Sequence, residues 1–145
     1  MSKTNAWEND LLLLLFNNTD AALIGDAAGL QNSATAGSLY FSLHTADPGE
    51  AGDQTTNEIA YTSYARVAVA RSGAGFTVTN NAVATAAATT FPAGTGGSGT
   101  ATHFGIGCSS SGAGKLLYKG ALTPNVVCGS GVTPQINAGT VVTED

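Results

Sequence analysis

Turn residues cut this chain into short pieces at nearly regular intervals, and that punctuation constrains the fold more than any other feature. Asp47-Pro48-Gly49, Ser72-Gly73-Ala74-Gly75, Asn80-Asn81, Gly94 to Gly99, Ser109 to Gly114 and Gly129 to Gly131 combine residues that tolerate left-handed backbone, preset a turn or bond their own main chain. Between them, apolar and polar residues alternate. Leu39, Phe41 and Leu43 interleave with Tyr40, Ser42 and His44. The same period returns in Ala65, Val67 and Val69, in Phe76 and Val78, and in Thr102, Phe104 and Ile106. Leu116 to Leu122, Val126 to Cys128 and Val141 to Thr143 read as further strands, with short additions at Val83 to Thr85 and Thr89 to Pro92. A period of two places alternate side chains on one buried face. Roughly seven to nine short strands with turns between them predict a mainly β chain, an antiparallel jelly-roll-like sandwich.

The N-terminus breaks this pattern. Thr4 or Asn5 can cap a helix, with Asn5 and Glu8 at capping-box spacing, and the helix should run to about Phe16 and stop in Asn17, Asn18, Thr19 and Asp20. Trp7, Leu11, Leu14 and Leu15 fall on one face, the expected core contact. Leu12, Leu13 and Phe16 occupy the other faces. At about 100° per residue, the run from Leu11 to Phe16 goes round the whole cylinder, more than one neighbouring sheet can cover. A second chain on the outer face is the favoured remedy. The division expected is therefore a helical arm at residues 1–20 and a single β-sandwich domain at 21–145, with Ala21 to Gly37 as a long loop.

Composition narrows the partners. Asp, Glu, Lys and Arg make up 10% of the chain, against about a quarter in an ordinary soluble domain, so Ser, Thr, Asn, Gly and Ala must cover most of the surface. Five basic residues against ten acidic ones give a net charge of -5. No run of Lys or Arg could neutralise a series of phosphates or hold an anionic membrane, which argues against nucleic acid and lipid. The longest apolar run is far below the roughly 20 residues of a membrane span, and Glu8 and Asp10 stand where a signal peptide needs a positive flank. Assembly in a cytoplasm is expected. Cys108 and Cys128 form neither a disulfide framework nor a zinc pattern. They read as free thiols or as one disulfide, and the sequence leaves that choice open.

Residues that could carry chemistry do not converge. Gly94 to Gly99 spells a dinucleotide fingerprint, but a strand-like segment follows it where the motif needs a helix. Gly112-Ala113-Gly114-Lys115 lacks the first glycine of a phosphate loop and has Leu116 where a hydroxyl should hold magnesium. His44 and His103 sit on the polar parity of their strands and read as half-exposed residues. The serines include no nucleophile elbow. Asp47, Glu50, Asp53 and Glu58 cluster about a Pro-Gly turn without calcium-loop spacing. No enzyme activity, cofactor or metal is expected. Tyr61, Tyr64 and Arg66 are residue types that anchor interfaces and stack on sugars, or close one end of a sandwich.

The segment LYFSLHTADPGEAGDQTTNEIAYTSYARVAV, Leu39 to Val69, resembles a family of small tailed-bacteriophage virion proteins labelled tail fibre proteins. THFGIG at Thr102 to Gly107, KLLYKGALT at Lys115 to Thr123 and the closing TPQINAGTVVTED are similar to the same family in order and spacing. The resemblance implies a non-enzymatic virion protein. The chain has no heptads, collagen-like repeat or internal duplication, which makes it more like a capsid decoration or cement protein than a fibre shaft. On that reading it lies on the capsid surface, associates with itself as a dimer or trimer, and binds the phage major capsid protein. Modest contacts, multiplied over neighbouring subunits, then stabilise the shell by mass action. The interface would be Trp7, Leu11, Leu12, Leu13, Leu15 and Phe16 of the helix, with Tyr61, Tyr64 and Arg66. The alternative is a tail-fibre or tail-tip module contacting host glycans.

Overall fold

The computed structural model describes residues 2–144, so Met1 and Asp145, the outermost residues of the two expected domains, lie outside it. Its elements are helix α1 (Asn5–Asn17) and strands β1 (Ser38–His44), β2 (Val67–Ala70), β3 (Phe76–Thr79), β4 (Ala82–Thr85), β5 (Thr89–Thr90), β6 (Ser98–Gly107), β7 (Leu116–Gly129), β8 (Gln135–Ile136) and β9 (Thr140–Thr143). The class is mainly β with one N-terminal helix and antiparallel sheets, as the alternation and turn spacing indicate, and a sandwich is compatible with it.

The chain divides differently from the expected arm and domain. One compact unit joins residues 1–38, 70–87 and 138–145, and the other joins residues 39–69 and 88–137. The helix is thus a founding element of the first unit and not an appendage. It packs on β3 and β4, which form a hairpin through Asn80, held at φ 54°. β9 closes the sheet against β4, with Ala82 opposite Thr143 and Val83 opposite Val142. Phe16 and Phe76 meet edge to face at 5.0 Å, and Leu12, Phe16, Phe76 and Val83 are fully buried. The two ends of the chain meet here, where the Lys3 ammonium lies 2.9 Å from Glu144.

After the helix, the expected long loop is stapled at its base. Asn18 Nδ2 donates to the Ser33 carbonyl, the Ser33 N–H donates to Asn18 Oδ1, and the Asn32 N–H donates to Asp20 Oδ1. A bridge between Ala21 and Leu30 closes it further out.

The second unit is built on a four-stranded sheet in the order β2-β1-β6-β7. β1 runs antiparallel to β6 from Tyr40 opposite Gly107 to His44 opposite His103. Phe41 and Phe104 stack at 6.2 Å on one face, with Leu43 and Ile106 buried. The other face is packed too closely for a side chain at two positions. A Cβ on Gly105 would fall 2.7 Å from Ser42 Oγ and 2.8 Å from His44 Nε2, and one on Gly107 would fall 2.2 Å from Gln54 Cδ.

The two strands expected at Leu116 to Leu122 and Val126 to Cys128 form one, β7. It stays on β6 by making an excursion between Ala121, opposite His103, and Val126, opposite Ala101. The small β5–β8 pair includes β8, a strand the alternation does not signal because two residues are too few to show a period.

Candidate functional site

The helix carries the apolar run that the sequence singles out, and its local chemistry explains why it stands where it does. Thr4 takes the extended N-cap conformation but makes no side-chain cap. Its carbonyl accepts the Glu8 N–H at 2.9 Å, and Glu8 puts a carboxylate in the first turn, where the helix dipole favours it. At the other end Asn18 turns left-handed at φ 54° and its N–H donates to the Leu13 carbonyl. Arg71 caps the last turn: Nε donates to the Leu15 carbonyl at 2.6 Å and Nη2 to the Leu14 carbonyl at 2.7 Å. Its Nη1 reaches the Ala36 carbonyl and Ser33 Oγ, both at 3.2 Å. One guanidinium thereby satisfies carbonyls that a helix end leaves open.

The buried stripe is Glu8, Leu12 and Phe16, spaced four apart. The sequence points instead to Trp7, Leu11, Leu14 and Leu15, about one residue round the cylinder. The reason is physical: a run that is apolar on every side selects no face, and Phe76 together with the β3–β4–β9 sheet makes the selection. Leu12 and Phe16, named above as interface residues, therefore belong to the core. Trp7, Leu11, Leu13, Leu14 and Leu15 are half-buried.

Tyr61, Tyr64 and Arg66 come together in the second unit, but they are turned inward. Arg66 grips Glu58 with two bonds of 2.7 Å, Nε to Oε1 and Nη2 to Oε2. It also donates to the carbonyls of Ser109 and Gly112 at 3.0 and 2.8 Å, fixing the β6–β7 connection. Tyr64 Oη donates to Glu58 at 2.9 Å and accepts the Leu43 N–H at 3.1 Å. Burial foremost holds its proton well above the usual phenol range. Tyr61 is buried, donates to the Pro92 carbonyl at 2.8 Å, and has its ionisation pushed up to about 12 by the same cause. Tyr64 lies edge to face with Tyr61 and stacked with Phe91. The polar atoms of all three residues are engaged inside the unit, which limits what Tyr61 and Arg66 can offer a partner. An open hollow of about 240 Å³ above this network is rimmed by Ser110 and Ser111.

His44 is fully buried, not half-exposed as its parity implies. Its Nδ1 faces the Thr56 carbonyl at 2.8 Å, an acceptor only, so Nδ1 carries the proton and Nε2 accepts from Ser42 Oγ at 2.8 Å. Desolvation is the main reason its pKa lies below the ordinary imidazole value. This serine–histidine pair is sealed from solvent, because Ser42 is fully buried as well.

The acids about Asp47 disperse. Asp47 and Glu50 hold Lys119 at 3.0 and 3.1 Å, Asp53 accepts from Thr55, and Glu58 belongs to Arg66. Among the described residues no group of three His, Cys, Asp or Glu could hold a metal ion, and no helix is long and apolar enough to cross a membrane.

The fingerprint-like glycines are stitched into main-chain bonds, Gly94 with Val132 and Gly131, and Gly96 with Thr62. Both cysteines are free, Cys108 exposed and Cys128 buried.

No curated protein is a significant match to the chain. The family model for the podophage GP4 fiber I protein gp80 matches residues 2–144, and the chain belongs to that family of phage fibre structural proteins.

Proposed function

We propose that this chain is a non-enzymatic building block of a phage tail-fibre assembly and that it works by associating with copies of itself through the outward side of α1. The observation that carries the reading is the helix: beyond the Glu8–Leu12–Phe16 stripe, five large apolar side chains remain half-buried. Covering the rest of such side chains is worth about 25 cal/mol per Å² of apolar surface removed from water. The fibre description of the family supports a tail location over the capsid surface expected from the lack of fibre repeats. The sealed Ser42–His44 pair, the only serine–histidine contact among the described hydrogen bonds, supports a structural role over a hydrolytic one.

The second reading, contact with a host glycan, draws on the hollow over Glu58, Tyr64 and Arg66. Its rim of Ser110 and Ser111 presents hydroxyls beside an aromatic face. Labelling of an epitope at the chain's C-terminus on intact particles tests the location. Label concentrated at the tail supports the proposal, and label spread over the head would restore the capsid reading. A glycan that binds the wild type and not a Ser110→Trp variant, which fills the hollow, would establish the receptor role beside the structural one.

A further inference from the structure

The large apolar side chains that stand exposed among the described residues are Leu23, Ile24, Leu30 and Val127. Three of these four belong to the loop that follows α1, with Leu23 81% exposed, Leu30 41% and Ile24 36%. A single exposed leucine is ordinary, but an apolar cluster on one loop marks a contact surface. The loop is also built to hold its tip out. Its base is closed by the Ala21–Leu30 bridge, and Gly29, at φ 69°, lies so close to Ala21 that a Cβ there would overlap the Ala21 carbonyl oxygen. Asp26 Oδ1 accepts the Ala28 and Gly29 N–H groups, and Gln31 Nε2 donates to the Ala28 carbonyl. Polar groups thus fix the loop's shape, and the Leu23 side chain is left outside it. Leu23 itself is held at φ 65°, a left-handed conformation that its Cβ disfavours. A strained backbone presenting an uncovered apolar side chain is unfavourable twice over in an isolated chain, the pattern of a residue shaped for a contact.

Charge and area indicate what covers the tip. No Lys or Arg occurs between Lys3 and Arg66, and Asp20 and Asp26 flank the tip, so an anionic lipid surface would repel it. Area points to a second copy. With thirteen residues, α1 has an outer side of roughly 20 Å by 10 Å, about a quarter of the roughly 800 Å² that each partner of a standard interface covers. Association through the helix alone is therefore undersized, and the surface adjoining it must contribute. The loop is that surface. Asn18, the C-cap of α1, is bonded to Asn32 and Ser33, and Arg71 ties the Leu14 and Leu15 carbonyls to Ser33 Oγ and the Ala36 carbonyl. An apolar tip and an apolar helix are thus held in one frame, yet a single copy does not bring them together, since the tip is exposed.

We propose that the Leu23–Ile24 tip of one copy lies against the outward side of α1 of another copy, with Leu30 at the edge of the contact. The inference rests on helix-mediated association and names what covers the helix: the loop of a neighbour, not only a second helix.

The test uses the full-length chain. Asn and Gly both suit a left-handed backbone better than Leu does, so Leu23→Asn and Leu23→Gly keep the fold, and their urea midpoints should hold or rise. Self-association, read by sedimentation velocity, should nevertheless weaken roughly tenfold or more, as the loss of one leucine buried in a contact implies. A photocrosslinking benzoylphenylalanine at position 23, in a mixture of isotopically light and heavy chains, should join residues 7–15 of a different copy. Leu23 variants that associate as the wild type does, or crosslinks confined to one copy or to segments outside α1, would overturn the proposal. So would flotation of the wild type with phosphatidylglycerol vesicles that Leu23→Asn abolishes. If Leu11→Asp/Leu15→Asp disrupts association and Leu23→Asn does not, the tip proposal falls and the helix reading stands. If only Leu23→Asn disrupts it, both fall, because the tip then rests on something other than α1.

Discussion

Protonating His44 would place a cation at a position with no access to water, hydrogen-bonded on both ring nitrogens. Desolvation is the largest influence and opposes the charged ring; the Thr56 carbonyl and Glu58 favour it, and Arg66 and His103, the latter across the strand pair, oppose it. The folded chain therefore holds His44 below the 6.5 of an ordinary histidine. In the window beneath that value the unfolded chain binds more protons than the folded one. This part of the stability is complete above the ordinary value and is lost as pH falls through the folded one. Urea unfolding should show lower stability at about pH 5 than at about pH 7.5, with a smaller difference in His44→Gln. Glu58 makes a sharper case. Replacing it with Ala strands the Arg66 guanidinium, whose side chain is 2% exposed, and should cost about 3 kcal/mol or more in the same measurement. The sequence shows neither arrangement. Alternation gives one polar face to β1, but Thr56 and Gln54, ten and more residues further on, cover that face, and period alone carries no information about a covering loop.

At the scale of elements, β1, β2, β3, β4 and β6 lie where alternation and turn chemistry put them, because each strand's period and its flanking glycines or asparagines report on the same few residues. The helix was legible in extent and not in orientation. Its ends follow from Thr4 and Asn18, but the buried face follows from Phe76, sixty residues away from Phe16 in the chain. This gives the two sides of α1 different expected behaviour. Phe16→Ala should destabilise the chain by about 3–5 kcal/mol and Leu12→Ala by about 2–5 kcal/mol. Leu11→Asp/Leu15→Asp, at half-buried positions, should leave a folded chain. Deleting residues 1–20 removes Leu12 and Phe16 from a core shared with β3 and β4. Near-ultraviolet circular dichroism and amide exchange should then show residues 70–87 losing protection, which a detachable arm would not produce.

At the scale of the whole chain, the two compact units are woven from separated segments, one from residues 1–38, 70–87 and 138–145 and the other from 39–69 and 88–137. Nothing in local composition marks those crossings, since Ser38, Ala70, Ala87 and Ala138 are residue types found throughout the chain, and so an arm and a single domain are the natural expectation. Membership of a phage fibre family gives the surface residues a context that their own pattern does not supply.

The account depends most on the half-buried leucines of α1 being covered by another copy. Sedimentation velocity of the full-length chain across a wide concentration range measures this directly, with Leu11→Asp/Leu15→Asp as the comparison. The account predicts a wild-type oligomer and a variant that keeps its circular dichroism spectrum but associates markedly less. A wild type and a variant with the same, concentration-independent monomer mass would contradict it.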